Sequence, residues 1–412
     1  MIQIIALLFA LGTIVFLVTK KFPLYQAMLL GIFIIAITMG KPPAHTLTLL
    51  WRGLSSRTTI ELVLAVGLIS LLSRLLKDFG FLENIMKSLV VFLRSVKLTL
   101  VLIPAIIGLF PKIGGAIVSA PLVDALGERL QISQIVKTSS NLIFRHAVFY
   151  FSPFNPSLIL LSSITGIELL VILKYLFPLG IVNIAAGYFL YLHRTRDAGP
   201  LNSDDNKAKE GSWSANFKAL VFYGAPLIIS LLLFLLFRFS LLFSLFIGVF
   251  TALLLGDKRG ANFRDIFMKG PDPLLMLGIA GIMVFQSLIG EMEGLFGLVE
   301  AIAGSGVPNF ILFVAVPFLI GWISASFSIT IGVAAPLLFP LLHAGESEVF
   351  YAVLLYASGF FSYFVSPIHL CQIVSNNYFN VRGFEVYKIQ YPILLMAFIT
   401  CLLIFGIGIK IV

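Results

Sequence analysis

Apolar stretches of roughly 15 to 25 residues recur along the whole chain, from Ile2 to Ile411, separated by short polar or proline-marked breaks. A buried strand needs only four to eight apolar residues, whereas a helix that crosses a bilayer needs about 20. Within lipid each segment must satisfy its own backbone hydrogen bonds, so stretches of this length are helices. A barrel would instead show short alternating strands. The pattern predicts an all-α polytopic membrane protein. In the first half it places helices at 2–19, 23–39 and 58–78, then an amphipathic piece at 81–93. Two short arms, 98–110 and 114–127, follow. A helix over 136–151 is broken and resumes near Leu158, and 167–192 closes the half. The second half repeats the plan with 217–237, 240–255 and 273–290, a pair of arms across 309–342, a broken helix over 349–376, and 391–409.

The breaks themselves recur. Ala120-Pro121-Leu122 returns as Ala335-Pro336-Leu337, an offset of 215, and Ser152-Pro153 returns as Ser366-Pro367, an offset of 214. Gly67 with Gly281 and Gly80 with Gly294 keep the 214 spacing. Four anchors at nearly one offset imply an internal repeat, with residues 1–192 and 217–412 as its copies. Residues 193–216 are the only extended polar region and read as a cytoplasmic linker. Each pair of short arms reads as a re-entrant hairpin, with tips at Phe110-Pro111-Lys112-Ile113-Gly114-Gly115 and Gly321-Trp322-Ile323-Ser324-Ala325-Ser326-Phe327-Ser328-Ile329-Thr330. About five crossings per half then put the copies in opposite orientations. Inverted repeats of this kind hold a solute at mid-membrane, between broken helices.

Composition agrees with the membrane reading. The chain is 59% hydrophobic and 11% charged. Its +9 charge is explained by positive-inside sorting and not by nucleic-acid binding. With the N-terminus outside, most Lys and Arg residues fall on the inner side, while Lys41, Arg52 and Arg57 run against the bias. The first apolar stretch lacks preceding basic residues and a clear cleavage site, so it reads as a retained helix. The expected location is the cell (inner) membrane, multi-pass, among membrane lipids. No Walker loop, dinucleotide fingerprint or HExxH occurs, and no organic cofactor is expected. Cys371 and Cys401 form no metal-ligand or redox pair by spacing.

Candidate chemistry sits at the interruptions. Lys112, at the first tip, and Arg145, in the broken helix, are the two cations that this topology keeps away from a membrane surface. A cation at that depth costs several kcal/mol and usually faces a cavity or a partner. Thr138, Asn141, Arg145 and Ser152 share one helical face, and His146 points about 100° away. Pro153 and Pro156 free backbone groups around Asn155, and Ser366-Pro367-Ile368-His369 does the same in the second half. Amides at the start of a half-helix favour an anion, and carbonyls at its end favour a cation such as Na⁺. The solute-binding candidates are therefore Lys112, Gly114, Gly115, Asn141, Arg145, Ser152, Asn155, Ser326, Ser328, Thr330, Ser366 and His369. A Na⁺ ion would sit near Gly114, Asn155, Ser326 and Ser366.

These hairpin tips and breaks, in this order over nearly the whole chain, resemble the ion-transporter superfamily of secondary carriers. They are closer still to the integral membrane proteins grouped as domain-of-unknown-function family 401. The resemblance implies a homodimer with scaffold helices at the interface and a transport domain moving in an elevator-like way. The superfamily's dicarboxylate branch uses Ser-Asn-Thr at the tips. Here Lys112-Ile113-Gly114 and Ser326-Phe327-Ser328 stand in those neighbourhoods. A cationic Lys112 could offset the substrate charge that Na⁺ offsets elsewhere, which fits proton coupling or a smaller anion. The expectation is secondary transport of a small anion, an organic carboxylate foremost, coupled to Na⁺ or H⁺. An anion channel or a non-transporting membrane scaffold is the alternative. An enzyme is not expected, since no deep carboxylate pair or nucleophile–base spacing is present.

Overall fold

The computed structural model describes residues 2–20, 22–93, 95–109, 115–196, 213–257, 262–292, 306–342 and 347–411, and every regular element among them is helical. The order is α1 (Ile2–Thr19), α2 (Leu24–Thr38), α3 (Pro43–Ser55), α4 (Arg57–Asp78), α5 (Phe81–Leu93), α6 (Val96–Gly108), α7 (Gly115–Arg129), α8 (Gln134–Ala147), α9 (Pro156–Thr165) and α10 (Leu169–Tyr191). Then come α11 (Trp213–Leu235), α12 (Leu241–Leu255), α13 (Phe263–Lys269), α14 (Pro273–Ile289), α15 (Asn309–Ser324), α16 (Phe327–Leu338), α17 (Glu348–Val365), α18 (Leu370–Tyr378) and α19 (Gly383–Ile411). Among the described residues seven segments are long and apolar enough to cross a membrane. The crossings expected at 23–39 and 240–255 are 15-residue helices, about 22 Å long at 1.5 Å per residue.

Local chemistry explains the boundaries. Ser56, Ser95, Ser133 and Ser240 each cap a helix by accepting an amide hydrogen bond, which satisfies a donor the first turn leaves open. Asn155 does the same for α9, Pro156 takes the first helical position, and Gly166 ends the helix at φ 74°. Two helices escape the apolar pattern. In α3 and α13 polar and charged residues interrupt the run, so neither carries a long hydrophobic signal. Helix α19 starts eight residues before the expected 391, because its first turns carry Glu385, Lys388 and Gln390.

The helices fall into two neighbourhoods. One contains α1 with α2, α2 and α3 with α14, α11 with α12 and α5, and α4 with α12. In the other, α6 packs on α8, α15 on α17, α10 on α19, α7 on α18, and α9 on α16. The most apolar 18-residue window of α17–α18 is 83% buried, against 33% for α1. The centre is therefore the second neighbourhood, and the first meets it through α5–α6, α4–α9, α14–α16 and α1–α15 among others.

Two glycines set the central spacing. A Cβ added to Gly108 would lie 2.0 Å from the Arg145 carbonyl oxygen, and one added to Gly321 would lie 2.1 Å from Ser362 Oγ. Bare backbone lets α6 close onto α8 and α15 onto α17, as small residues do between membrane helices. Gly108→Val is expected to destabilise the protein by about 1–3 kcal/mol through forced separation of α6 and α8. Thermal unfolding in detergent reads this, with Gly12→Val as the control because its Cβ meets nothing within 4 Å. Equal melting temperatures for the two variants would refute the close-packing account.

Candidate functional site

Helix α8 is buried along its length from Lys137 to Ala147, although its sequence is largely polar. At its base the Lys137 ammonium contacts Asp124 at 2.8 Å and also Glu128, tying α8 to α7. The Lys137 stem lies over Gly127, where a Cβ would come within 2.6 Å of it. The two carboxylates nearest in sequence to the deep cations are thus engaged at the hairpin base. Burial also adds Lys97 and Lys137 to the enclosed cations. Lys97 Nζ donates to the His193 carbonyl.

One turn deeper, Thr138 donates to the Gln134 carbonyl of its own helix at 2.7 Å. Asn141 Nδ2 donates to the Ala116 carbonyl at 3.0 Å and to Ser375 Oγ at 3.2 Å. Asn141 thereby joins α8 to the start of α7 and to α18. Arg145 follows, 3% exposed, close enough to Cys371 and Tyr363 to act on them electrostatically. The buried polar set of the described residues contains no Asp or Glu.

His146, His369 and Cys371 complete this group. The imidazoles meet edge to face with centroids 5.2 Å apart. One ring nitrogen of each and Cys371 Sγ all lie within 4.8 Å of one another. Tyr363, Phe364 and Phe149 pack around the rings. Phe327, the first residue of α16, stacks on Tyr363 at 5.8 Å and on Phe149 at 6.3 Å. Aromatic side chains therefore separate the Arg145 group from the second hairpin tip.

The tip contacts the first break directly. Ser157 Oγ and Ser328 Oγ are hydrogen-bonded at 3.0 Å, so the N-terminal turns of α9 and α16 meet. Asn155 Oδ1 accepts from Ser157 N–H at 2.9 Å, and Ser152 Oγ accepts from Phe154 N–H at 3.3 Å. Thr330 donates to the Ser326 carbonyl at 2.9 Å. Ala325 adopts φ 47° and ψ 31°, a left-handed conformation that costs an alanine about 1–2 kcal/mol. Neither α16 nor α18 has a side-chain N-cap, so their first-turn amides are not satisfied by capping.

The serines before the second break have a packing role. Ser358 donates to the Val314 carbonyl at 2.6 Å, Ser362 to Pro317 at 3.1 Å, and Ser366 to Trp322 at 2.7 Å. These bonds fasten α17 to α15 turn by turn. Ser366 thus sits with α15, and Ser326, Ser328, Asn155 and Ser157 form a separate cluster. Lys112 and Gly114 lie outside the described residues, while Gly115 opens α7. Cys371, Ser157, Ser375 and Tyr363 are not singled out by sequence. His146 and Cys371 stand 225 residues apart, and no local motif signals their meeting.

A cavity of about 270 Å³ lies at the far end of α9, lined by Arg57, Glu61, Leu62, Ile159, Ser162 and Ser240 among others. It opens between the two helix neighbourhoods and does not include the Arg145 group. A family model described as "Protein of unknown function (DUF401)" matches residues 2–409. No curated protein matches the chain.

Proposed function

The chain belongs to the DUF401 family, and we propose that it is a secondary active transporter of a small anion, an organic carboxylate foremost. The observation that carries this reading is Arg145. A guanidinium is enclosed at the centre of a membrane protein whose described residues bury no carboxylate. Cations at that depth are rare and mark solute pathways, and this one places positive charge beside the two broken helices, where an anionic solute would be drawn. The uncapped N-terminus of α18, which begins beside His369 and Cys371 in the Arg145 group, supplies amide donors and a positive helix end for the same anion.

The element order supports two inverted repeats. Helices α8 and α17 start 214 residues apart, as do α9 and α18, and α10 and α19. Internal prolines follow the same register to within one residue, with Pro104 and Pro317 in α6 and α15, and Pro178 and Pro392 in α10 and α19. On this reading α6–α10 and α15–α19 form the transport body, and α1–α5 with α11–α14 form the scaffold of a homodimer. The transport body slides against the scaffold in an elevator-type cycle driven by Na⁺ or H⁺.

The test is purified protein in liposomes, screened with labelled carboxylates and inorganic oxyanions under imposed Na⁺ or pH gradients. Saturable uptake that depends on a gradient is expected. Gradient-independent flux at channel rates would show an anion channel. Failure of every anion to enter would leave a membrane scaffold.

A further inference from the structure

We propose that His146, His369 and Cys371 form a binding site for a monovalent soft metal ion, Cu(I). The proposal stands on the two imidazoles. His146 Nδ1 lies 2.8 Å from the Leu142 carbonyl, and His369 Nδ1 lies 3.2 Å from the Phe364 carbonyl. A carbonyl only accepts, so each Nδ1 carries the proton and each neutral ring presents a lone pair at Nε2. Both Nε2 atoms are buried and have no hydrogen-bond partner, and each residue is 1% exposed. Ligating histidines are held this way, with the far nitrogen donating to a carbonyl that fixes the tautomer. Cys371 Sγ joins a ring nitrogen of each within 4.8 Å. Bonds of about 2.0 Å to nitrogen and 2.3 Å to sulfur require an inward shift of no more than about 1 Å.

Charge selects the metal. Thiolate and imidazole together suit Cu(I) and Zn(II), but Arg145 already places one positive charge beside the group. When Cu(I) binds, the Cys371 S–H bond breaks, a Cu–S bond forms and the proton leaves to water. One monovalent cation replaces another, no electron moves, and the buried charge is unchanged. Zn(II) would add a net positive charge next to the guanidinium in a low-dielectric site, which is unfavourable. Cys371 is the one partly buried member of the three. A bound ion would fasten α8 to the start of α18.

Full-length protein in detergent, titrated anaerobically with Cu(I) against a chromogenic Cu(I) chelator, tests this without any transported substrate. About one Cu(I) per chain is expected, with a rise in melting temperature. Cys371→Ser, His146→Gln and His369→Gln should each weaken binding at least ~10–100-fold, while Cys401→Ser, at the remote thiol, should not. Melting temperature and gel-filtration profile identify any variant that misfolds, and the near-isosteric Cys371→Ser then decides. Undiminished Cu(I) binding by folded Cys371→Ser, or no binding by the wild type, overturns the site. Zn(II) binding as tight as Cu(I) overturns the selection by charge.

Discussion

Arg145→Leu abolishes anion uptake in proteoliposomes while leaving a folded protein: this is the expected result if Arg145 supplies the charge that binds the solute. Removing a charge-assisted contact of about 3 kcal/mol lowers affinity by at least ~100-fold. Arg145 is 3% exposed, so Leu also removes the internal contacts of the guanidinium, and melting temperature is read beside uptake to separate loss of binding from loss of structure. Arg145→Lys adds a second discrimination. It keeps the charge but loses the planar fork that grips a carboxylate through two bonds, so it should retain weak uptake with a raised KM. The measurement is initial uptake rate against anion concentration, with melting temperature recorded on the same preparations. A large fall in melting temperature with normal uptake by either variant would make Arg145 a structural residue.

Much of the frame is legible in the sequence because lipid imposes a simple rule. Apolar runs must be helical, so α1, α2, α4 and α10 appear within about two residues of where hydropathy puts them. Proline and capping residues mark the breaks equally well: Asn155-Pro156 starts α9, and Ser366-Pro367 ends α17. What hydropathy does not mark is a short helix whose apolar run is broken by polar and charged residues. Helix α3 carries Arg52, yet Leu49 and Gly53 are buried against neighbours, so its packing face is short and its run is broken.

The candidate site is legible only along one helix at a time. Helical spacing puts Thr138, Asn141 and Arg145 on one face, and α8 does bury them together. Spacing carries no information about which carbonyls lie opposite. Ser358, Ser362 and Ser366 recur every fourth residue, as a solute-lining stripe would, but their hydroxyls meet the carbonyls of α15. A neighbouring helix consumes the hydrogen-bonding capacity that sequence alone leaves open. The reverse holds for Cys371, which looks like an ordinary helix residue until the α8 histidine is placed beside it. On the proposed function, the first half contributes the cation Arg145 and the second contributes the uncapped amides of α18. The anion is therefore sought between the halves and not on the first alone.

Cross-linking separates a body that slides as a unit from a hairpin that opens as a gate. Ser157 Oγ and Ser328 Oγ are 3.0 Å apart, joining α9 to the tip-proximal turn of α16. In a Cys371→Ser, Cys401→Ser background, paired Ser157→Cys and Ser328→Cys substitutions should oxidise to a disulfide, since side chains in contact here leave the Cβ atoms near bridging distance. If both helices travel in one transport body, uptake should stay within about twofold of the reduced protein, because the bond spans no moving boundary. A second pair, Leu62→Cys with Ile159→Cys, joins α4 to α9 across the cavity between the two helix neighbourhoods. A short bifunctional thiol reagent bridging that pair should stop uptake almost completely by holding scaffold and transport body in one register. The reagent should have no effect on either single variant. Loss of uptake with the first pair, reversed by reductant, would instead identify the second hairpin as a gate that must leave the α9 break on every turnover. Unimpaired uptake with the second pair fully bridged would remove the sliding interface between α4 and α9, and with it the elevator-type cycle.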